Sequence, residues 1–433
     1  MRTVKEFGAV GDGTTDDTAA IEHAVQQTEG VLHFPKGSYR LKKPITISLD
    51  QTGFAGISGE QGTARILMEA AGPAFRLVGT HEGTASPPSF KPNVWDRQRF
   101  PTISHLEIHG RHPEADGIEL IKTMQSTIQN VLIRQCRHAI HLVERNRNFL
   151  LANSHIYDCH ATGVFFDHCN LHQAIITGNH ISYCKEAGIR QLDGDVHNIQ
   201  ITGNDIEYNS GLGEISAEIL LEAPTEQISE YTISSNTIQA TRESPGANIW
   251  IRGSQERSKL LCKLIAITGN VIGSRQHSLI IEDAARLSIT GNTIYDGIQR
   301  NVILKRCQNF VLSSNSIGTR PVRWDSTAID GVTLEECEHG VVHGNTFNDC
   351  RAGEADLGAG LMLNHCQAIN ISGNQMDSAN SKGISLIDSF NCLIQGNLIR
   401  GQQVDQGSSI IDNSNDPSTP DRYRDNNLTW FQP

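Results

Sequence analysis

One short pattern recurs along most of this chain and restricts the folds that the chain can adopt. The pattern is an apolar residue, a variable residue, Gly or Ser, Asn, a variable residue and a final apolar residue, as in ITGNHI. Its copies are spaced 22 to 34 residues apart. A period of this length indicates a solenoid, in which each repeat packs only on its neighbours. The recurring asparagines are Asn179, Asn204, Asn236, Asn270, Asn292, Asn315, Asn345, Asn374 and Asn397.

A second apolar alternation precedes most copies of this pattern, as in GVFFDHC and GISLIDS. Both alternations have the period of two that is typical of strands, and turn residues bound them. The chain has no amphipathic helical segment of 10–15 residues between them, so crossover helices are excluded. Strands of successive coils are therefore expected to stack in parallel, about 4.8 Å apart. About eleven coils fit between Gly117 and Ser389.

Two kinds of repeated polar residue are expected to stack along the solenoid. Asparagine tolerates left-handed backbone and its amide bonds turn backbone, so the repeated asparagines are predicted to form a ladder. Cysteines also recur at equivalent places, and we interpret them as small buried stacking residues in preference to disulfides or redox groups. They are Cys169, Cys307, Cys337 and Cys366 in one set, and Cys136, Cys159, Cys184 and Cys350 in the other.

The two ends of the chain differ from the repeats. Residues 1–50 contain a helical pattern in DDTAAIEHAVQQ, for which Thr15 or Asp16 is predicted as the N-cap, and then two strands around a Pro-Lys-Gly turn. We predict that this segment caps the solenoid of residues 51–405. Residues 406–433 lose the period and are predicted to form a tail on the last coil or on a neighbouring subunit, which leaves a homotrimer or another homo-oligomer open.

The N-terminal residues also carry a resemblance to a known group of proteins. VKEFGAVGDGTTDDTAAI followed by LHFPKGSYRL resembles the start of the pectate-lyase-like superfamily, which includes polygalacturonases, polysaccharide lyases, mannuronan epimerases and phage tailspikes. The resemblance implies an all-β fold, a right-handed parallel β-helix of about eleven or more coils with a short N-terminal helical cap. The Asn-Thr-Asp, Asp-Asp and Gly-His-Gly motifs of polygalacturonases and the Asp-Pro-His-Glu motif of the epimerases are missing from the repeats. The chain is therefore similar to an outlying member.

Strand alternation predicts which side chains face solvent. Pairs such as Val164/Phe166 and Ile249/Ile251 are expected in the core, so the residues beside them form outward columns. The first column reads Glu119, His141, Phe165, Arg190, Leu220, Trp250, Ile280, Ile303, Thr333, Met362 and Ser385. The second column reads Ile121, Val143, Asp167, Leu192, Glu222, Arg252, Glu282, Lys305, Glu335, Asn364 and Ile387. Gln191 would point inward, which leaves the register of its coil open.

The polar members of these columns supply the candidate site. Carboxylates act as acids, bases or metal ligands, arginine stabilises negative charge, and aromatic faces stack on sugars. Asp167 and Glu222 are two coils apart, about 9.6 Å along the backbone, and carboxyl groups about 6.5–9.5 Å apart suit an inverting glycosidase. A solvated sheet face also carries such charges without any function. The candidate catalytic residues are Asp167, Glu222, Arg190, Asp193 and Asp195, and the candidate substrate-binding residues are His141, Phe165, His168, Trp250, Arg252, Lys305 and Trp324.

Three functions remain open from the sequence. The first is cleavage of glycosidic bonds in a polysaccharide or oligosaccharide, by a hydrolase or intramolecular transferase with two carboxylates and no required cofactor. The second is a polysaccharide lyase acting on a uronic-acid polymer, with Arg190 or His168 near the base role and with calcium as an aid. The third is a non-catalytic, tailspike-like glycan binder. The loop residues Arg320, Arg323 and Trp324 fit contacts to sugar and contacts between subunits equally well.

Composition limits the partners. The net charge of −12 argues against nucleic acid, because neutralising phosphates needs an excess of Lys and Arg. No segment approaches the length of a membrane span, so no membrane partner is expected. The N-terminus lacks an apolar signal core, which predicts either a cytoplasmic protein or a secreted one whose signal is missing from this sequence. No metal site is predicted, since His109, His112, Glu114 and Asp116 read as an incidental loop cluster.

Overall fold

The computed structural model of the chain describes residues 2–83, 86–211, 213, 216–256, 260–319, 330–348, 359–377, 382–401, 410–413, 423–424 and 427–430. It divides into two compact units. Unit 1 is Met1–Gly211 with Thr225–Gln227, and unit 2 is Leu212–Pro224 with Ile228–Pro433. Within each unit the strands pair in parallel with the equivalent strands of the next coil. Each unit is therefore a parallel β-helix, and the predicted all-β class is confirmed.

Each coil has three strand positions, named here first, second and third strands. The first strands are Ile45–Ser48, Gly72–Val78, Ala115–Ile121, Ala187–Leu192, Ala217–Glu222, Ala247–Arg252, Asp330–Glu335, Leu361–Asn364, Ile384–Ile387 and Ile410–Asn413. The second strands are Arg2–Thr3, Gly30–Phe34, Ala55–Gly59, Thr102–Ser104, Thr127–Gln129, Asp195–Thr202, Gln227–Ser234, Cys262–Thr268, Ala285–Thr290, Gln308–Ser313, Glu338–His343, Gln367–Ser372, Leu393–Gln395 and Tyr423–Arg424.

The third strands are short, and four longer strands continue around a corner. The third strands are Asp12–Asp16, Gly37–Leu41, Ala64–Met68, Glu107–Gly110, Leu132–Arg134, His155–Tyr157, His180–Ser182, Asp205–Glu207, Thr237–Gln239, Ser316–Gly318, Thr346–Asn348, Gln375–Asp377, Leu398–Gly401 and Asn427–Trp430. His138–Ala152 and Thr162–Thr177 join a first and a second strand, whereas Val271–Glu282 and Thr293–Lys305 join a third and a first strand.

Helices are few among the described residues. The α-helices are Thr18–Gln26 and Leu49–Thr52, the 3-10 helices are Val4–Phe7 and Pro87–Ser89, and Val94–Gln98 forms a π-helical turn. Thr18–Gln26 buries Ile21, Ala24 and Val25, the residues whose spacing predicted the helix. None of the described helices combines the length and the apolar character that crossing a membrane requires.

The N-cap prediction at Thr15 or Asp16 is wrong, because Asp17 occupies the N-cap position of the first α-helix. The three side chains are used differently. Asp17 accepts the backbone N–H of Val10 at 2.6 Å, and Thr15 donates its hydroxyl to Asp12. The Asp16 carboxylate accepts the N–H of Thr18 at 3.1 Å, so it still satisfies the first helical residue.

The apolar core follows the predicted alternation. Val164, Phe166, Ile249 and Ile251 are all fully buried, as the inward positions required. Gln191 is also fully buried, and its Nε2 donates to the backbone oxygens of Asp193 and Gln227. An inward glutamine is therefore tolerated because backbone acceptors satisfy its amide, and the open register of this coil is resolved in favour of the column alignment.

The asparagine ladder is confirmed in both units. In unit 2 it runs from Asn236 through Asn397, and in unit 1 it joins Asn179 to Asn204. The Oδ1 of Asn292 accepts both the backbone N–H and the Nδ2 of Asn270, each at 3.0 Å. Left-handed backbone, however, falls on the residue before each asparagine, such as Gly291 with φ +67°. The asparagine was therefore placed correctly, but its conformation was not.

The cysteines behave as buried packing residues. The nine cysteines that the structure describes are free and buried, which confirms the prediction for them, whereas Cys350 lies outside the described residues. Burial raises the pKa of the Cys169 thiol and that of the Cys262 thiol to about 12, so these groups remain protonated. Protonated, enclosed thiols are poor nucleophiles, in agreement with a packing role.

Both terminal segments contain strands that pair like the rest. Gly30–Phe34 and Gly37–Leu41 flank the predicted Pro-Lys-Gly turn, but each pairs with a strand of the next coil and they do not form a hairpin. In the segment predicted as a tail, Ile410–Asn413 pairs in parallel with Ile384–Ile387. Parallel strand pairing thus continues beyond Asn397, the last asparagine that the repeat pattern identified.

Candidate functional site

The outward columns have the predicted register within each unit. In unit 1, Glu119 pairs with His141, His141 with Phe165, and Phe165 with Arg190. The neighbouring column pairs Val143 with Asp167. This alignment brings imidazole, carboxylate and guanidinium groups together on the first strands, because alternation sends these side chains away from the apolar core.

Asp167 lies between two histidines. Its Oδ2 is 3.0 Å from His141 Nε2, and its Oδ1 is 2.7 Å from His168 Nδ1. The hydrogen bond from His141, followed by that from His168, lowers the pKa of Asp167 to about 2. The Asp167 side chain is 31% exposed and that of His168 is 64% exposed. The group is therefore an ionised carboxylate that orients an accessible imidazole.

His141 connects Asp167 to a second carboxylate. Its Nδ1 is buried without a hydrogen-bond partner and lies 3.7 Å from Glu119 Oε1. The other oxygen of Glu119 accepts a short hydrogen bond from Arg76 Nε. His141 therefore lies between the carboxylates of Asp167 and Glu119.

Phe165 is buried and packs against His141 of this cluster. Its ring is 7% exposed and stacks on His141 at a centroid distance of 5.4 Å. The Arg190 guanidinium lies 5.5 Å from the ring centroid, and its Nη1 donates to Glu186 at 3.1 Å. Phe165 thus packs against protein groups, and its predicted role as an open stacking face for sugar has no exposed surface to support it.

His138 belongs to the cluster but was not predicted from the sequence. Its ring lies 5.0 Å from Phe165 and 5.2 Å from His141. Burial lowers the pKa of His138 to about 4, so the side chain is neutral near neutral pH. Strict alternation would have sent this residue inward with Ile140, whereas its ring contacts the outward side chains of His141 and Phe165. No sequence signal marks this exception.

Asp193 and Asp195 stabilise a turn by accepting hydrogen bonds. Asp193 is 8% exposed and accepts the backbone N–H of Glu226 at 2.7 Å as well as the hydroxyl of Thr225. Asp195 accepts the side-chain amides of Asn170 at 3.2 Å and of Gln227 at 3.1 Å. These bonds give both carboxylates a structural task, and their catalytic assignment stays a prediction.

Unit 2 carries a different set of outward side chains, a charge ladder. Glu222, Arg252, Glu282, Lys305 and Glu335 lie in register on successive first strands, with alternating sign. Arg252 Nη1 donates to Glu222 Oε1 at 3.2 Å, and Lys305 Nζ donates to Glu335 Oε1 at 2.7 Å. Each charge therefore faces an opposite charge on the neighbouring strand, and the three acids and two bases leave the column a net charge of −1.

Trp250 also joins this ladder. Its Nε1 donates to Glu282 Oε2 at 3.1 Å, and the Arg252 guanidinium lies 5.5 Å from its ring. Glu222 is 8% exposed, so it presents little carboxylate surface to a ligand. Asp167 belongs to unit 1 and Glu222 to unit 2, so their pairing as two catalytic carboxylates stays a prediction. Trp324, with Arg320 and Arg323, lies outside the described residues.

The loop residues that resembled a metal cluster have separate partners. His109 Nε2 lies 2.7 Å from Gln135 Oε1, and His112 Nδ1 accepts the backbone N–H of Glu114. Asp116 forms two hydrogen bonds with the Arg137 guanidinium. Among the described residues these side chains are not brought together as a ligand set.

Solved structures of similar fold come from bacteria and phages. A surface adhesin of Streptococcus pneumoniae, PfbA, is 16% identical with a TM-score of 0.57, over 83% of this chain and 91% of that one. The tailspike protein gp49 from Pseudomonas phage LKA1 is 13% identical with a TM-score of 0.55, over 95% and 82%. At this level of identity the likeness shows the fold alone.

Curated relatives match only short stretches. A probable glucan endo-1,3-beta-glucosidase of Arthroderma benhamiae is 42% identical over 58 residues, which are 10% of this chain and 7% of that protein. The chain spans 7% or less of the length of the curated relatives that it matches.

Two family descriptions cover most of the sequence. "Rhamnogalacturonase A/epimerase, pectate lyase-like" matches residues 1–73, the segment that carried the resemblance. "Right handed beta helix region" matches residues 93–218 and 218–399, which is more than half of the chain. The predicted hand of the solenoid is thereby confirmed. The chain belongs to the right-handed β-helix family, as an outlying member of the pectate-lyase-like superfamily.

Proposed function

We propose that this protein cleaves glycosidic bonds of a polysaccharide, with Asp167 and His168 as its proton-transfer pair. The observation that carries the proposal is the hydrogen bond of 2.7 Å between Asp167 Oδ1 and His168 Nδ1 on an exposed imidazole. Histidine is the usual proton-transfer group near neutral pH, and a carboxylate partner orients its ring. The epimerases, tailspikes and glycan-active enzymes among the relatives of this chain support a polysaccharide as the class of substrate.

The hydrogen-bond partner assigns the tautomer of His168. An ionised Asp167 can only accept, so Nδ1 of His168 carries the hydrogen and Nε2 keeps its lone pair. His168 Nε2 then takes a proton from the substrate side, and Asp167 stabilises the imidazolium that forms. Asp167 itself is a weak base at a pKa of about 2, so it acts by orientation and charge.

Two forms of cleavage use this pair differently. In hydrolysis His168 takes a proton from the water whose oxygen bonds to the anomeric carbon, the glycosidic bond breaks, and the leaving oxygen takes a proton from solvent. In elimination His168 takes a proton from a sugar carbon, the electron pair of that C–H bond forms a carbon–carbon double bond, and the glycosidic oxygen leaves and takes a proton from solvent. The imidazole favours elimination, whereas the predicted carboxylate pair with Glu222 would serve hydrolysis.

The test is a panel of neutral and uronic-acid polysaccharides, read by new reducing ends and by the ultraviolet absorbance of unsaturated products. We expect the wild-type chain to cleave at least one polymer, and we expect His168→Ala and Asp167→Asn to lose at least about a hundredfold in kcat/KM. His365→Ala is the matched control, since it removes an exposed histidine beside a carboxylate in unit 2. Full activity in both variants of unit 1 would contradict the proposed pair.

A non-catalytic glycan binder is the second candidate. The observation that favours it is the internal pairing of charges in the charge ladder, in which Arg252 and Lys305 already contact acidic partners. A binder would retain glycan on a panel of immobilised polymers while releasing no product by either readout. It would also bind glycan equally well after the His168→Ala substitution, because a binder does not need proton transfer by His168.

A further inference from the structure

A group of three potential metal ligands lies on the third strands of unit 1, away from the first-strand cluster. The ligands come from His180–Ser182 and Asp205–Glu207, which pair in parallel with His180 opposite Asp205 and Ser182 opposite Glu207. Ile181 and Ile206 fill the inward positions between them. The alternation therefore places His180, Asp205 and Glu207 together on the outward side of this sheet.

The three ligand atoms already form a compact triangle. His180 Nε2 lies 3.8 Å from Asp205 Oδ2 and 3.5 Å from Glu207 Oε1, and all three atoms lie within 4.8 Å of one another. A zinc ion with bonds of about 2.0–2.2 Å in a tetrahedral site holds its ligand atoms about 3.4 Å apart. The two distances from His180 need to shorten by only about 0.4 Å and 0.1 Å, and rotation of the Asp205 and Glu207 side chains would adjust the distance between the two carboxylates.

Two buried polar atoms at this place have no hydrogen-bond partner. The first is His180 Nε2, which is enclosed although it points at two carboxylates. The second is the Oγ of Ser182, a residue that is 1% exposed and lies on the same side of the strand as His180, opposite Glu207. Buried polar groups are normally satisfied, so two such atoms beside a carboxylate pair indicate a missing partner.

The charge of the group also calls for a cation. Asp205 and Glu207 are both acidic and only two residues apart on one strand. Their negative charges repel each other across this short separation. A bound divalent cation would relieve that repulsion.

We propose that His180, Asp205 and Glu207 bind a divalent transition-metal ion, with zinc as the best fit. One imidazole nitrogen with two carboxylate oxygens suits zinc, whereas calcium prefers a shell of six to eight oxygens. Three protein ligands leave a fourth position for water, and the unpartnered Ser182 hydroxyl belongs to the residue opposite Glu207, one of the three ligands. The ion would link two successive coils of unit 1.

The test uses the tag-free full chain, stripped with a chelator and then titrated with Zn²⁺ in competition with a chromophoric zinc chelator. We expect one strongly bound ion per chain. His180→Ala, Asp205→Asn and Glu207→Gln should each weaken binding by at least about tenfold, because each removes one ligand of the ion. Calcium at the same concentration should not displace zinc.

A matched control separates this site from adventitious histidine binding. His365 Nε2 lies 3.7 Å from Asp388 Oδ2, a similar spacing with a single carboxylate, so His365→Ala should leave zinc binding unchanged. Circular dichroism should show the same strand content in all variants, since the substituted side chains face outward. Binding that survives His180→Ala unchanged, or a wild-type chain that takes up no zinc, would overturn the proposal.

Cobalt provides a readout of geometry that does not depend on activity. Co²⁺ replaces zinc in such sites, and a four-coordinate ion absorbs visible light far more strongly than a six-coordinate one. We expect an intense visible band with the wild-type chain and a loss of that band with Glu207→Gln. Weak absorbance typical of six-coordinate cobalt, unchanged by the substitution, would contradict a built site.

Discussion

The outward side chains on the first strands differ between the two units in how their charges are partnered. In unit 1, Asp167 is held by His141 and His168, and the exposed end of the group is an imidazole. In unit 2, the charge ladder pairs each acid with a base on the next strand, as Glu222 with Arg252. The same strand geometry thus supports either a cluster of histidines around a carboxylate or a column of paired opposite charges. This contrast is the reason that the proposed proton transfer is assigned to unit 1.

The strongest test of this comparison substitutes one carboxylate in each unit. Asp167→Asn should lower kcat/KM for polysaccharide cleavage by about a thousandfold, because the amide favours the wrong tautomer of His168 and removes the charge that stabilises it. Glu222→Gln should remain within about fivefold of wild type, since Glu222 is buried against Arg252. Equal, large losses in both variants would restore the predicted two-carboxylate mechanism and end the distinction between the units.

Unit 2 also contains a fully buried ion pair, and breaking it should have the largest effect on stability. Arg275 donates to Glu218 at 2.9 Å and to Ser216 at 2.6 Å, and neither member of the ion pair is exposed. Glu218→Ala should cost about 3–5 kcal/mol of unfolding free energy, because it leaves a buried guanidinium without its counter-charge. The measurement is the midpoint of denaturant unfolding.

A double substitution separates the ion pair from simple loss of packing. Glu218→Leu combined with Arg275→Met replaces the pair by apolar side chains and should recover most of the stability lost in Glu218→Ala. If the double variant were as unstable as the single one, the buried pair would be stabilising through its shape and hydrogen bonds to Ser216 and Pro245. That result would contradict the charge argument.

The fold and the register were predictable because they depend on backbone periodicity. Alternation identified the inward pairs, and aligning the recurring apolar segments such as GVFFDHC placed His141, Phe165 and Arg190 in one column, as the strand register confirms. The strands Ile410–Asn413, Tyr423–Arg424 and Asn427–Trp430 were missed because the matching sequence YRDNNL, which contains Asn426, has Asp where the pattern has Gly or Ser.

The contacts within the site were not predictable because they depend on side-chain direction at corners and turns. His168 has a φ of +46°, and its counterparts Glu144 and Asp193 on neighbouring coils are also left-handed. The left-handed backbone at His168 turns its imidazole towards the Asp167 carboxylate. Repeat spacing alone does not predict that contact. The group of His180, Asp205 and Glu207 did leave a signal, because His180 and Asp205 each follow a ladder asparagine.

The ladders offer a graded comparison of stability between the units. Asn292→Ala should cost about 2–3 kcal/mol, because the N–H and one amide hydrogen of Asn270 lose their acceptor and the carbonyl of Ile267 loses the Asn292 amide as a donor. Asn179→Ala should cost about 1 kcal/mol less, since only the Ser154 N–H depends on the Oδ1 of Asn179. The check is denaturant unfolding of both variants side by side. An equal loss would show that the ladder acts through packing and not through its hydrogen bonds.

Acid should weaken unit 1 through His138. Burial lowers the pKa of His138 to about 4, whereas the unfolded chain takes up this proton near pH 6.5. Its contribution is therefore fully present above about pH 6.5 and is lost as the pH falls towards 4, by about 1–3 kcal/mol. Thermal unfolding between pH 7 and pH 4 should show this loss, and His138→Gln should flatten it. Asp167, with a pKa of about 2, contributes only to a separate loss between about pH 4 and pH 2.

The smallest effect is expected where the charge ladder is most exposed. The side chains of Lys305 and Glu335 are 29% and 33% exposed, so water and salt screen their ion pair. Lys305→Met should change the unfolding free energy by less than about 1 kcal/mol and leave polysaccharide cleavage within about twofold of wild type. Glu282 retains Arg252 and Trp250 as partners after the substitution, which limits the local repulsion. If Lys305→Met instead abolished cleavage while the midpoint of unfolding stayed constant, the ladder would bind substrate, and the separation between a reactive unit and a unit of paired charges would fail.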